Sequence, residues 1–158
     1  MDTDAKIYWE DVSPGDVFEL GERRVGREEI VAFARAYDPQ PFHVDEEAAK
    51  STMMGGLAAS GWHSCCLMMR LMFEGFLSKS SSLGSGGLDE VKWLKPVRPG
   101  DVLSARYSVL ETRASRSRPD LGICKSLCEV FNQAGETVMT CRFTQFMGRR
   151  PADRGAGA

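Results

Sequence analysis

The stretch SGWHSCCLMMRLMFEGFL, residues 60–77, decides the fold of this chain. From Trp62 to Leu77 it is the most apolar segment of the sequence, yet Arg70 and Glu74 interrupt it and it is too short to span a bilayer. Apolar side chains occur on nearly every side of the helix that it predicts. Such a helix is typical of the centre of a domain, where other elements wrap around it.

The segments on either side of this helix predict a sheet and two further helices. Upstream, apolar residues at helical spacing predict a helix from Arg27 to Asp38, which Pro39 ends, and Asp45 is expected to cap a short helix through Lys50. Residues 78–87 are predicted to be a Ser- and Gly-rich loop. Alternating residues predict a strand from Val17 that closes at Gly21, and four more at 88–95, 101–112, 121–132 and 137–147. The layout is α+β, an antiparallel β-sheet wrapped around a long central helix.

The composition is that of an ordinary globular domain. The 158 residues are 42% hydrophobic and 27% charged, so we expect a single domain over residues 1–147 and a flexible C-terminal tail over residues 148–158. With 20 basic and 22 acidic residues the net charge is −2, and no nucleic-acid partner is expected. The acidic N-terminus does not resemble a secretory signal, and no membrane partner is expected. Five cysteines without a C-x-x-C pair favour reduced thiols and a cytoplasmic protein.

Asp38 and His43 are the first candidates for acid–base chemistry. They are five residues apart, and Pro39 and Pro41 restrict the backbone between them. A carboxylate and an imidazole held together can activate one water molecule. The alternative is structural, with Asp38 ending a helix and His43 packed as an ordinary histidine. No third His or carboxylate has the spacing of a metal ligand, so no metal is expected.

Ser60 and Gly61 open the apolar helix. The first N–H groups of a helix have no acceptor within it, so this point can bind a developing oxyanion, and a glycine lets a substrate carbonyl come close. The alternative is that Ser60 is only an N-cap. Inside the helix, His63 is expected to be buried and neutral. Core positions are expected for most of the five cysteines, and a core or acyl-pocket position for the methionines at 68, 69 and 72.

Three separated motifs resemble those of the MaoC-like dehydratases, the (R)-specific enoyl-CoA hydratase family. The segment AYDPQPFHVD, residues 36–45, is similar to the D-x-N-P-x-H hydratase motif, with its Asp and His at Asp38 and His43. The glycine that contacts the thioester carbonyl falls on Gly61, and VKWLKPVRPGD, residues 91–101, looks like the strand-to-turn signature. The motif's Asn is Gln40 here. The resemblance covers roughly residues 10–147.

The resemblance implies a hotdog fold and a function. Asp38 and His43 would be catalytic, with Gly61, Ser60 and Gln40 binding substrate. The reaction would be (R)-specific hydration of a trans-2-enoyl-CoA thioester, or the reverse dehydration, with coenzyme A as the substrate carrier and no other cofactor. Two alternatives are an acyl-CoA thioesterase and a non-catalytic acyl-CoA-binding protein, the latter suggested by Gln40. A homodimer or a higher homo-oligomer is also expected, since hotdog domains pair and an isolated sheet exposes edge strands.

A basic turn lies between two predicted strands. Arg113, Arg116 and Arg118 form a local positive patch in a chain of net charge −2. Guanidinium groups bind phosphate, so these side chains are candidates to contact the phosphates of coenzyme A. The alternative is a solvated hairpin tip.

Overall fold

A single antiparallel sheet and one long helix form the framework of the protein. The computed structural model describes residues 6–152. The strands are β1 (Val17–Arg24), β2 (Ser82–Trp93), β3 (Val102–Ala114), β4 (Leu121–Phe131) and β5 (Thr137–Gly148). The helices are α1 (Arg27–Tyr37), α2 (Pro41–Val44), α3 (Glu46–Lys50) and α4 (Gly61–Gly75). The sheet order is β1-β3-β4-β5-β2, with every pair antiparallel. The predicted α+β hotdog architecture is confirmed.

Helix α4 packs on one face of the sheet. Its inner side buries Leu67, Met68, Leu71 and Met72 against alternate residues of the strands, which face the core at every second position. The outer side of α4 stays exposed in the single chain, where Trp62, Met69 and Phe73 have half or more of their surface accessible. Within residues 6–152, other elements therefore cover the inner side of this apolar helix and leave its outer side open.

The Ser- and Gly-rich segment is part of a strand, contrary to the predicted loop. β2 begins at Ser82 and pairs with β5 as far as Trp93. Its register shifts three times, and Gly84 and Gly87 lie at the irregular positions with positive φ. The hydroxyl of Ser85 donates to the carbonyl of Thr144 at 2.6 Å. Pairing with β5 therefore overrides the weak strand propensity of these residues, because glycine tolerates the bulges.

The first strand is also longer than predicted. It continues beyond Gly21 to Arg24 through a bulge between Glu19 and Glu22. The predicted helix ending at the proline is confirmed as α1, and Asp45 caps α3 by accepting from the N–H groups of Glu47 and Ala48. The remaining four strands lie within about two residues of their expected ends, apart from the earlier start of β2.

The chain end after β5 is bound to the N-terminal segment. Gly148 belongs to β5, and Arg150 pairs with Asp11 through two hydrogen bonds of 2.6 and 2.7 Å. Glu10 accepts from Arg149 and from the Arg150 backbone. The predicted flexible tail from residue 148 is therefore held at its start, and residues 153–158 lie outside the described residues. Between residues 6 and 152, no helix combines the length and apolar character needed to cross a membrane.

Candidate active site

Asp38 and His43 meet at the junction between α1 and α2. Asp38 follows the last residue of α1, and its N–H donates to the carbonyl of Ala34 at 2.8 Å. Pro41 begins α2, a position that suits its fixed φ and missing N–H, and this single turn carries His43 back towards α1. The Asp38 Oδ2 and His43 Nε2 atoms are 3.3 Å apart. The structure therefore brings the two predicted residues together.

The ring of His43 is fixed by the main chain. Its Nδ1 is 2.6 Å from the carbonyl oxygen of Ala58, and because a carbonyl only accepts, Nδ1 carries the proton. In the neutral ring Nε2 then has a free lone pair, directed towards Asp38. His43 is only 4% exposed and stands edge-on to Phe42, with ring centroids 4.5 Å apart. The tautomer and orientation are thus set before any substrate arrives.

Asp38 is held as a carboxylate by two side-chain donors. The hydroxyl of Ser60 donates to Oδ2 at 2.6 Å, and the amide of Gln40 donates to Oδ1 at 2.7 Å. The Ser60 bond is the main cause that lowers the pKa of Asp38 below its ordinary value, with a smaller contribution from the Gln40 bond. Gln40, which replaces the motif's Asn, therefore contacts the catalytic candidate directly.

The side chain of Ser60 contacts Asp38 and does not cap the helix. Ser60 occupies the N-cap position of α4, but its side chain makes no capping bond and donates to Asp38 instead. The N–H groups of Gly61 and Trp62 lie in the first turn of α4, where the helix itself supplies no acceptor. This helix start faces the same cavity as Asp38 and His43.

Glycine is required at position 61 for a reason that the sequence did not indicate. A Cβ on Gly61 would come within 2.6 Å of the Trp93 indole, which donates from Nε1 to the Gly61 carbonyl at 2.9 Å. Trp93 also stands edge-on to Trp62 at 5.8 Å. The indole thus packs directly on the start of α4.

A cavity of about 540 Å³ joins these groups. Its walls come from the Asp38–His43 turn, the Met53–Met54 loop, the 58–62 segment and residues 93–97. Sequence analysis did not single out Trp93 or the loop for this site. The loop is held from behind by Arg98, whose guanidinium donates to the carbonyls of Met54, Gly56 and Leu57.

The predicted basic turn lies elsewhere. The hairpin between β3 and β4 is at the opposite end of the sheet from Trp93, and β3 is about 40 Å long at the usual rise per residue. Arg118 pairs with Asp120 through two bonds, at 2.7 and 3.2 Å. Within one chain, the three arginines therefore do not reach this cavity.

Most of the other singled-out residues are in the core or around a second cavity. His63 is buried, stacks on Phe33 at 4.7 Å, and burial lowers its pKa. Burial raises the pKa of Cys124 to about 11 and of Cys128 to about 12, as for core thiols. Cys141 is also buried, whereas Cys66 is exposed.

Between residues 6 and 152 no three His, Cys, Asp or Glu side chains are placed to hold a metal ion. Met68, Met69 and Met72 line an apolar cavity of about 180 Å³.

Known proteins resemble this chain in both sequence and structure. The sequence profile of the MaoC like domain matches residues 11–126. The uncharacterized protein YdeM of Bacillus subtilis (strain 168) is 31% identical over 119 residues, which are 75% of this chain and 83% of that protein. The crystal structure of a MaoC-like dehydratase from Rhodospirillum rubrum superposes with a TM-score of 0.85 at 41% identity, covering 92% of this chain and 99% of the other. An (R)-hydratase from A. caviae, at 22% identity, shares the fold with a TM-score of 0.68 over 90% of this chain and 99% of its own.

Proposed function

This chain belongs to the MaoC-like dehydratase family, and we propose that it hydrates trans-2-enoyl-CoA thioesters to (R)-3-hydroxyacyl-CoA, or catalyses the reverse dehydration. The observation that carries the proposal is the pair of acceptors at one cavity wall. Asp38 Oδ2 and His43 Nε2 are 3.3 Å apart, and each is oriented by a separate hydrogen bond. A water molecule has two protons to donate, so one water on the cavity side can bridge the two acceptors, with its oxygen lone pairs directed away from both.

The chemistry follows from this placement. The water oxygen bonds to the β-carbon of the enoyl group while the carbon–carbon double bond opens, and Asp38 accepts one water proton. Asp38 then delivers that proton to the α-carbon. His43 Nε2 keeps the second hydrogen bond and positions the oxygen. Negative charge develops on the thioester oxygen, where the Gly61 N–H at the start of α4 would donate to it.

Conversion of an enoyl thioester tests the proposal directly. Loss of enoyl absorbance is followed with crotonyl-CoA and longer chains, and the product configuration is read by chiral chromatography. We expect Asp38→Asn and His43→Gln each to lower kcat by about 10²–10⁴-fold. Asp45→Asn is the matched control, because it also neutralises a carboxylate but keeps a good N-cap on α3, outside the cavity. Its activity should equal that of the wild type.

Two other outcomes would indicate a different function for this protein. Release of free thiol from a saturated acyl-CoA indicates a thioesterase, since hydration releases none. Tight acyl-CoA binding without turnover over all chain lengths indicates a non-catalytic binding protein. Equal hydration rates for the wild type and Asp38→Asn would refute the assigned role of the carboxylate.

A homodimer completes the proposal. β2 is an edge strand with one neighbour in the sheet, and beside it α4 exposes apolar side chains to solvent. Pairing β2 with β2 of a second copy would satisfy the free backbone groups and cover this surface. Light scattering should give twice 17.4 kDa. Phe73→Glu should shift the protein towards monomer, whereas Leu110→Glu, on β3, should not. A wild-type monomer at micromolar concentration would contradict this assembly.

A further inference from the structure

The start of α4 lacks the groups that usually hold the first turn of a helix. Ser60 occupies the N-cap position, but its hydroxyl donates to Asp38 and makes no capping bond. No acidic side chain lies in the first turn, and its first residue, Gly61, belongs to the most flexible residue type. An oxyanion donor works best when it is fixed before the reaction begins. A contact from outside the helix is therefore needed to hold this turn.

Trp93 makes the contacts that replace the missing cap. Its indole Nε1 donates to the Gly61 carbonyl at 2.9 Å. Three atoms of the indole lie 2.6–3.0 Å from the point that a Cβ on Gly61 would occupy, so the ring packs directly on the Gly61 Cα. One hydrogen bond and one packing contact from the same side chain thus restrain residue 61.

The indole is itself anchored on the sheet. Trp93 is the last residue of β2, and its backbone pairs with Met139 of β5. The ring also stands edge-on to Trp62, with centroids 5.8 Å apart. It borders the cavity that Asp38 and His43 line. The sheet therefore holds the start of α4 in place through the Trp93 side chain, beside the catalytic candidates.

The bond to the Gly61 carbonyl also acts on the N–H group of the next residue. A carbonyl and the N–H that follows it belong to one planar peptide unit, so the Gly61 carbonyl and the Trp62 N–H turn together. A donor on the carbonyl side polarises this unit and strengthens the bond that its N–H can donate. The Trp62 N–H lies in the first turn of α4, where the helix supplies no acceptor. The indole thus orients this N–H and makes it a better donor.

We propose that Trp93 is a positioning residue of the hydratase site, which holds the first peptide of α4 so that the N–H groups there meet the thioester oxygen. The proposal rests on the hydratase function and gives a role to a side chain that acts through the backbone. Negative charge on that oxygen is greatest in the transition state, so loss of the positioning lowers kcat more than it raises KM. An indole that only lined the cavity would have the opposite effect, because its loss would weaken substrate binding.

Two replacements remove the indole N–H but keep an aromatic ring. Trp93→Phe is the first. The second, which also serves if Trp93→Phe does not fold, is 3-benzothienylalanine at position 93, which has nearly the shape of tryptophan and carries sulfur in place of the N–H. We expect kcat for crotonyl-CoA to fall by about 10–10²-fold, with little change in KM. Trp9→Phe is the matched control, because Trp9 packs on Gly122 of β4, outside the cavity. Its kcat should equal that of the wild type.

A saturated ligand reports the positioning without turnover. Butyryl-CoA labelled with carbon-13 at the thioester carbon is bound to each protein, and isotope-edited infrared spectroscopy measures its carbonyl stretch. The stretch moves to lower frequency as the oxygen accepts stronger hydrogen bonds. We expect a downward shift on binding to the wild type, which either replacement at position 93 largely removes and Trp9→Phe retains.

These measurements separate the positioning role from the hydratase function. An unchanged stretch with unchanged kcat in the position-93 variants overturns the role of Trp93, and so does a raised KM with unchanged kcat. A wild-type protein that binds butyryl-CoA without any shift overturns it too. If the shift depends on Trp93 but no enoyl thioester is hydrated, the positioning is supported and the hydratase function is refuted.

Discussion

Replacing Ser60 by alanine is the sharpest test of how Asp38 is kept ionised. The Ser60 hydroxyl donates to Asp38 Oδ2 at 2.6 Å, a length typical of a hydroxyl bonded to a carboxylate. Ser60 is fully buried, whereas the Asp38 side chain keeps 18% exposure, so water can replace part of the lost bond. Bonds to charged groups contribute about 1.5–3 kcal/mol. We therefore expect Ser60→Ala to lower the free energy of unfolding at pH 7 by about 1.5 kcal/mol.

The pH dependence of this loss follows from the lowered pKa of Asp38. A carboxyl whose pKa is lower in the folded than in the unfolded state stabilises the fold above its unfolded pKa, here 3.8. That stabilisation is lost as the pH falls through the folded pKa. Ser60→Ala raises the pKa of Asp38 in the folded state, so the variant has less of this stabilisation to lose. The difference between the two proteins should be largest at neutral pH and should shrink below pH 3.8.

Urea unfolding of both proteins between pH 7 and pH 3 measures the effect. Ser64→Ala is the control, since Ser64 is also buried in α4 but donates to the neutral carbonyl of Ser60 at 3.4 Å. Its loss should not depend on pH. The acid limb of kcat/KM should also move to higher pH in Ser60→Ala, because Asp38 then becomes protonated more readily. A stability difference that is the same at pH 7 and pH 3 would refute the argument.

Three further predictions concern residues around the site. Burial lowers the pKa of His63, so the wild type should lose stability as the pH falls below about 6.5, where the unfolded chain takes up the proton. His63→Phe should show less of this loss when urea unfolding at pH 8 and pH 5.5 is compared. An equal loss in the two proteins would contradict the role of His63. Gly61→Ala should lower the free energy of unfolding by about 1–3 kcal/mol, because its Cβ collides with the Trp93 indole. In thermal melts, the double variant Gly61→Ala, Trp93→Ala should recover part of this loss. Additive losses from the two substitutions would contradict the collision. Arg98→Met should raise KM by roughly tenfold, which is the scale of one lost hydrogen bond. It should also speed hydrogen exchange of the backbone amides in the loop that ends at Leu57. Unchanged exchange would show that the guanidinium does not hold the loop.

The parts of the site that the sequence predicts are formed by residues that lie close together in the chain. Asp38 and His43 are five residues apart, and the prolines between them leave the backbone few ways to turn. Helix ends are local too, so the start of α4 at Gly61 follows from a few neighbouring residues. The contacts that orient these groups come from farther away. His43 bonds to a carbonyl 15 residues away, and Ser60 bonds to a carboxylate 22 residues away.

The same distinction explains the errors in the fold. Ser82 to Gly87 have the composition of a loop, and only the partner strand β5 makes them a strand. The apolar residues on the outer side of α4 predict burial, but no other part of residues 6–152 covers them. Trp93 and Arg98 look like an ordinary strand residue and an ordinary turn residue in the sequence. Their contacts with Gly61 and the loop before it appear only when the chain is folded.

The two members of the proposed catalytic pair are supported in physically different ways. The acceptor of the His43 proton is a backbone carbonyl, that of Ala58, which no side-chain substitution removes. The donors to Asp38 are two side chains, Ser60 and Gln40, which substitution can change one at a time. The tautomer of His43 is therefore robust, whereas the basicity of Asp38 is adjustable. With Gln at position 40 the longer amide still reaches Oδ1 at 2.7 Å, so the departure from the motif's Asn preserves the support of the carboxylate.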